Sequence, residues 1–154
     1  MEIAEIVSKG AVLPALRAAS KKQLFQELAN RAAEEYGLRP REVMSGLMAR
    51  EQLGSTAMGD GVAIPHARVP GLQRIVGVFA RLERAVDFDA ADGQPVDLVF
   101  MLLAPEESGA DHLRALARVS RLLREAEMRD KLRSTAKAPG LYALITEPVA
   151  SRAA

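Results

Sequence analysis

An α/β domain with its sheet covered on both faces is the fold class this sequence predicts, and three observations carry that expectation. Val96 to Leu103 is apolar almost throughout after Asp97, as in a strand buried on both sides. Leu24, Leu28, Ala32 and Tyr36 recur at helical spacing. Helical and strand patterns then alternate along the chain instead of falling into separate blocks.

Ser20-Lys-Lys-Gln23 has the form of a capping box, in which the hydroxyl and the amide satisfy orphan N–H groups and start the first helix. Gly37 offers that helix a left-handed stop. Pro40 suits the first turn of a second helix, with Val43, Leu47 and Met44 turned inward, running to about Glu51. Val62-Ala63-Ile64 reads as a short buried strand ended by Pro65, and Val76 to Leu82 as a further strand. The intervening Phe88-Asp-Ala-Ala-Asp-Gly-Gln-Pro95 is turn chemistry, with Asp92-Gly93 suited to a tight turn. A long helix is expected from Ser108, its inner stripe formed by Leu113, Leu116, Ala117, Ser120 and Leu123. Arg114, Arg118 and Arg121 would then form a solvated flank. Short helices around Met128–Ala136 and Leu141–Ile145 complete the pattern.

The chain of 154 residues fits one domain, taken as residues 1–154 with a core from about 5 to 148. Apolar residues make up 49% and charged residues 27%, as in globular proteins. With 21 Lys and Arg against 20 Asp and Glu, the formal charge of +1 gives no electrostatic reason to expect nucleic acid or an anionic membrane as partner. The absence of cysteine removes disulfides, thiolate zinc sites and Cys nucleophiles together. The first residues are acidic where a signal peptide is basic, and the longest apolar run, Leu98 to Ala104, is too short to span a bilayer. A cytoplasmic protein without membrane insertion is expected.

Chemistry concentrates between Arg50 and Arg68. Gly54, Gly59 and Gly61 let the backbone turn so that N–H groups approach a ligand. Pro65 stiffens the chain beside His66, placing that histidine at a strand end, where α/β sheets commonly bind ligands. A histidine that accepts a phosphoryl group needs one neutral nitrogen aimed at phosphorus and the other held by a hydrogen bond. It also needs positive charge and donors around the transferring group, which Arg50 and the hydroxyls of Ser55 and Thr56 could supply. From the residues alone, an exposed loop histidine beside a turn is an equal reading of His66. The other histidine, His112, opens the long helix and approaches His66 only if both strands end on the same sheet edge. Two histidines without a third ligand at recognisable spacing make a poor metal site, and no cofactor is implied.

These residues resemble a known family, the enzyme IIA domains of the mannitol/fructose/nitrogen class in the bacterial phosphoenolpyruvate phosphotransferase system. The family's signature is met in order. Glu51 is followed after six positions by Met58-Gly59, then after two more by Val62-Ala63-Ile64-Pro65-His66-Ala67. The resemblance extends to Arg50–Thr56, Asp89–Phe100 and His112–Ala117. It implies a mixed β-sheet flanked by helices. It further implies that His66 accepts phosphate from a histidine-phosphorylated carrier of the HPr type, that His112 assists, and that Arg50 helps hold the phosphoryl group. The Gly54-Ser55-Thr56 and Phe88–Phe100 segments are most similar to nitrogen-type members. Those end a phosphorelay and regulate partners, among them potassium transport or sensor proteins. A free-standing sugar-type IIA that donates to a separate IIB protein, and a binding module that keeps the fold without transfer, are the alternatives.

Overall fold

The computed structural model describes residues 1–147, so the expected domain's last residues, Pro148 to Ala154, lie outside it. The chain begins with two short 3-10 turns, Ile3–Glu5 and Lys9–Ala11, then enters strand β1, Val12–Leu16. The core already takes in Ile3, which is 1% exposed. Sequence patterning misses β1 because Pro14 interrupts it. The strand lies at the edge of the sheet, where a missing ladder donor is tolerated.

Helix α1 spans Lys21–Tyr36, capped by Ser20, whose Oγ accepts from the Gln23 N–H at 3.1 Å. Gln23 Oε1 accepts in turn from the Ala19 N–H, one residue further back than a regular capping box. Gly37 ends the helix at φ +69°. Helix α2, Pro40–Gln52, starts on its proline as expected.

Strands β2 (Ala57–Gly59) and β3 (Val62–Ala63) form a two-residue hairpin around Asp60-Gly61. Both turn residues have positive φ, +57° and +78°, as a type I′ turn requires. The Asp-Gly pair at 92–93 marks a turn but joins no two-residue hairpin; Gly93 N–H donates to the Ala90 carbonyl at 3.0 Å. Strand β4 is His66–Val69, β5 Val76–Val86 and β6 Val96–Pro105. Helices α3 (Ala110–Arg124), α4 (Ala126–Arg133) and α5 (Ala138–Thr146) follow. No helix among the described residues is long and apolar enough to cross a membrane.

The sheet is mixed, in the order β1-β5-β6-β3-β2, with β4 also on β6. β1 runs parallel to β5, β5 antiparallel to β6, and both β3 and β4 parallel to β6. Leu98 through Ala104 are all fully buried, so apolar layers cover both faces of β6. β3 and β4 are one strand line interrupted at Pro65. Ala63 pairs with Val99 and His66 with Leu102, so the offset along β6 is the same on either side. The expectation that the strand stops at Pro65 is corrected: Pro65 still accepts from the Leu102 N–H at 2.9 Å, and pairing resumes at His66.

The stripe expected on α3 is rotated by about one position. His112, Ala115, Arg118, Val119, Leu122 and Leu123 are buried, whereas Leu113 is 67% exposed and Ala117 is exposed. Both sets have helical period, and tertiary packing selects the other face. Arg118 is consequently buried instead of solvated, with Nη2 3.8 Å from the Glu2 carboxylate.

Candidate functional site

His66 sits at the start of β4, where β6 fixes its backbone. Its Nδ1 lies 2.9 Å from the carbonyl of Ile64. A carbonyl only accepts, so this contact places the ring proton on Nδ1 and leaves the lone pair on Nε2. Burial lowers the pKa of His66 and Arg50 lowers it further, while the Ile64 carbonyl and Glu51 oppose them. A neutral ring with a free Nε2 lone pair is the form a nucleophile needs.

The β6–α3 connection brings His112 alongside. The two ring centroids are 5.5 Å apart, inclined at 53°. His112 is 7% exposed, and its Nδ1 has no hydrogen-bond partner among the described residues. Burial, His66 and Arg68 together push its pKa down to about 4, so the ring is neutral at physiological pH. The condition set by the sequence is met: His112 lies buried beside His66 at the start of α3.

A surface cleft lined by Arg50, Ser55, Thr56, Ile64, Met58 and Ser120, among others, contains His66. Arg50 projects from the last turn of α2 and donates through Nη1 to the Gly54 carbonyl at 2.9 Å. Four of the five residues singled out in the sequence, Arg50, Ser55, Thr56 and His66, thus line one cleft, and His112 adjoins it.

The hydroxyls of Ser55 and Thr56 depart from expectation. Ser55 Oγ donates to the Phe88 carbonyl at 2.7 Å and accepts from the Ala57 N–H. Thr56 Oγ1 donates to the carboxylate of Glu51 at 2.9 Å. Both hydroxyl protons are spent on satisfying the loop itself, as buried polar groups must be. Gly61 likewise serves packing: a Cβ there would stand 2.5 Å from Arg133 Nη2 and 2.9 Å from Asp97 Oδ1.

Sequence reasoning passed over Glu51 and Arg68 as site residues, although Glu51 belongs to the quoted signature and Arg68 ends the segment in which the chemistry concentrates. Arg68 donates to the Glu106 carbonyl at 3.1 Å and to Ser108 Oγ at 3.2 Å, tying β4 to the loop that leads into α3. Among the described residues, no three His, Cys, Asp or Glu side chains gather in a way that would hold a metal ion.

The fold is that of a phosphotransferase-system IIA protein. Residues 5–147 match the family model described as phosphoenolpyruvate-dependent sugar phosphotransferase system, EIIA 2, and the chain belongs to that family. Its likeness within the family is to nitrogen regulatory proteins. One from Bradyrhizobium diazoefficiens is 54% identical over 153 residues, covering 99% of this chain and 100% of that protein. The crystal structure of nitrogen regulatory protein IIA-Ntr from Neisseria meningitidis superposes with a TM-score of 0.87 at 37% identity, covering 92% of this chain and 97% of that one. The fructose-specific EIIABC component of Bacillus subtilis is 33% identical over 133 residues, which are 86% of this chain but 21% of that protein.

Proposed function

We propose that this protein is a phosphocarrier of the nitrogen-regulatory type, with His66 as the phosphoryl acceptor. The observation that carries the reading is the Nδ1 contact of His66 with Ile64, which leaves Nε2 as the nucleophile in a cleft shared with Arg50. The donor is a phosphohistidine on an HPr-type carrier. The Nε2 lone pair forms a bond to phosphorus as the phosphorus–nitrogen bond to the donor breaks, its electron pair returning to the donor ring. No proton has to move, because His66 keeps its Nδ1–H throughout.

Arg50 offers the charge that a transferring phosphoryl group requires. His112 assists in its neutral form. With nothing to bond Nδ1, its proton is better placed on Nε2, where it can donate to a phosphoryl oxygen. Phosphorylation adds about −1.5 to −2 charges to the cleft rim, enough to reverse a local electrostatic match with a partner. Regulation of cytoplasmic target proteins by phosphorylation state follows from that change. The nitrogen-type reading is supported by end-to-end likeness to a nitrogen regulatory protein, against a match to one-fifth of the fructose-specific component.

The test is to incubate the protein with phosphoenolpyruvate, enzyme I and an HPr-type carrier, and to measure intact mass beside His66→Ala. An acid-labile gain of one phosphate, absent from the variant, is expected. No gain with nitrogen-type or sugar-type carriers would overturn the reading and leave a binding module. Rapid onward transfer to a sugar-specific IIB protein would instead place the chain in the transport branch.

A further inference from the structure

We propose that Glu51 is a positioning residue for His66, acting through the backbone of Thr56 and Ile64; this rests on His66 being the acceptor. The Glu51 side chain is 6% exposed and stands at the end of α2, next to Arg50 in sequence. Its two oxygens accept from the Thr56 N–H at 2.9 and 3.1 Å and from the Thr56 hydroxyl at 2.9 Å. The Thr56 carbonyl accepts from the Ile64 N–H at 3.1 Å. The Ile64 carbonyl accepts from His66 Nδ1 at 2.9 Å. Three hydrogen-bonded links, joined through the backbones of Thr56 and Ile64, thus connect a buried carboxylate to the imidazole across the β2–β3 hairpin region.

Carboxylates that orient a functional histidine usually touch it directly, fixing tautomer and ring angle. Here the contact is relayed, and the acceptor that meets the ring is a peptide carbonyl. Two consequences follow. The first is geometric: the Ile64 carbonyl stays in place because its own chain segment is tied to Thr56, which Glu51 anchors. The second is electrostatic. When Nε2 takes a phosphoryl group and Nδ1 keeps its proton, the ring acquires formal positive charge, and Glu51 supplies negative charge behind it.

Glu51 and Arg50 therefore act on the ring in opposite senses, the carboxylate favouring a charged imidazole and the guanidinium a neutral one. The other charged and titratable groups around this pair are Lys21 of α1, 3.4 Å from Glu51, Arg68 of β4, and His112 of α3. Lys21 also lies over the Phe88 ring, 4.7 Å from its centroid, so it partly neutralises Glu51 without reaching His66 through any hydrogen bond among the described residues.

The decisive experiment follows the His66 ring nitrogens of the full chain by nitrogen-15 NMR across pH, in wild type, Glu51→Gln and Glu51→Asp. Phosphoryl transfer from a phosphorylated HPr-type carrier is measured alongside. Gln keeps an acceptor for Thr56 and removes the charge; Asp keeps the charge. We expect Glu51→Gln to retain the wild-type amide fingerprint and to lower the His66 titration midpoint by about half a pH unit or more. Its transfer kcat should fall about tenfold with KM within a factor of two, and Glu51→Asp should recover most of the midpoint. A midpoint and tautomer unchanged in Glu51→Gln would overturn the proposal. The wild type provides a check that needs no variant: an Nε2–H tautomer at pH 8 would also overturn it. These titrations read the ring whether or not phosphate is transferred, so a failed His66→Ala test is a separate result.

Discussion

Arg68 and His112 are joined through a loop: the Arg68 guanidinium grips Glu106 and Ser108 just ahead of the helix whose first turn carries His112. The same guanidinium also disfavours protonation of that histidine. One side chain therefore both places the second ring of the site and adds to the burial and the His66 contact that keep it neutral.

Replacing Arg68 with Met releases both effects. The His112 titration midpoint should rise from its value near 4, and phosphoryl transfer to His66 should slow several-fold as the α3 start loosens. NMR titration of the His112 ring checks the first outcome and single-turnover transfer the second. A His112 midpoint that stays put would show that Arg68 matters only for placement.

His112 makes stability depend on pH. Its folded pKa of about 4 lies below the ordinary 6.5, so between these values the unfolded chain binds the extra proton. Stability should be full above pH 6.5, fall as pH drops toward 4, and change no further from this source below that. Urea unfolding of wild type and His112→Gln at pH 7 and pH 4.5 checks the sign. Wild type should lose on the order of 2–3 kcal/mol more than the variant across that interval.

Arg50→Gln should cost little stability, since the side chain's hydrogen bond is to the Gly54 carbonyl at a partly exposed site. It should nevertheless lower phosphoryl acceptance by about a hundredfold or more, as removal of a charge-stabilising donor does. The His66 midpoint should rise, because Arg50 favours the neutral ring. Rapid-quench transfer assays with NMR titration read both, and an unchanged transfer rate would remove Arg50 from the phosphoryl site.

Gly61→Ala should destabilise the fold by about 2–4 kcal/mol, through left-handed strain at φ +78° and overlap with Arg133 and Asp97. Urea midpoints measure it. Asp97 and Arg133 make a two-pronged ion pair, and Arg133 Nη2 also donates to the Asp60 carbonyl at 2.6 Å, so the extra methyl has little room to be absorbed.

What the sequence disclosed, and what it withheld, divides along physical lines. β6 was legible because a strand dry on both faces leaves a continuous apolar run, and α1 because its cap and stop are local chemistry. β4 was hidden: His66-Ala-Arg-Val69 is too short and polar to read as a strand, and becomes one only by pairing with β6. The inner face of α3 was displaced because its leucines and alanines satisfy helical period on two adjacent faces. At the site, the residue types of the cleft were readable from the motif. The spending of the Ser55 and Thr56 hydroxyls on Phe88 and Glu51 was not, since it depends on groups that only folding brings together.

The strand line through Pro65 has one further implication. His66 is attached to β6, whose Leu98–Ala104 run is fully buried, by pairing on both sides of a residue that cannot itself donate. That pairing holds its backbone on the sheet. On the proposed function, a partner that distinguishes the phosphorylated from the free protein would read them as ink on an unbending page: the surface potential around the cleft would change while the strand beneath it keeps its place. Recognition of that kind is graded by ionic strength, so discrimination between the two forms should weaken as salt is raised.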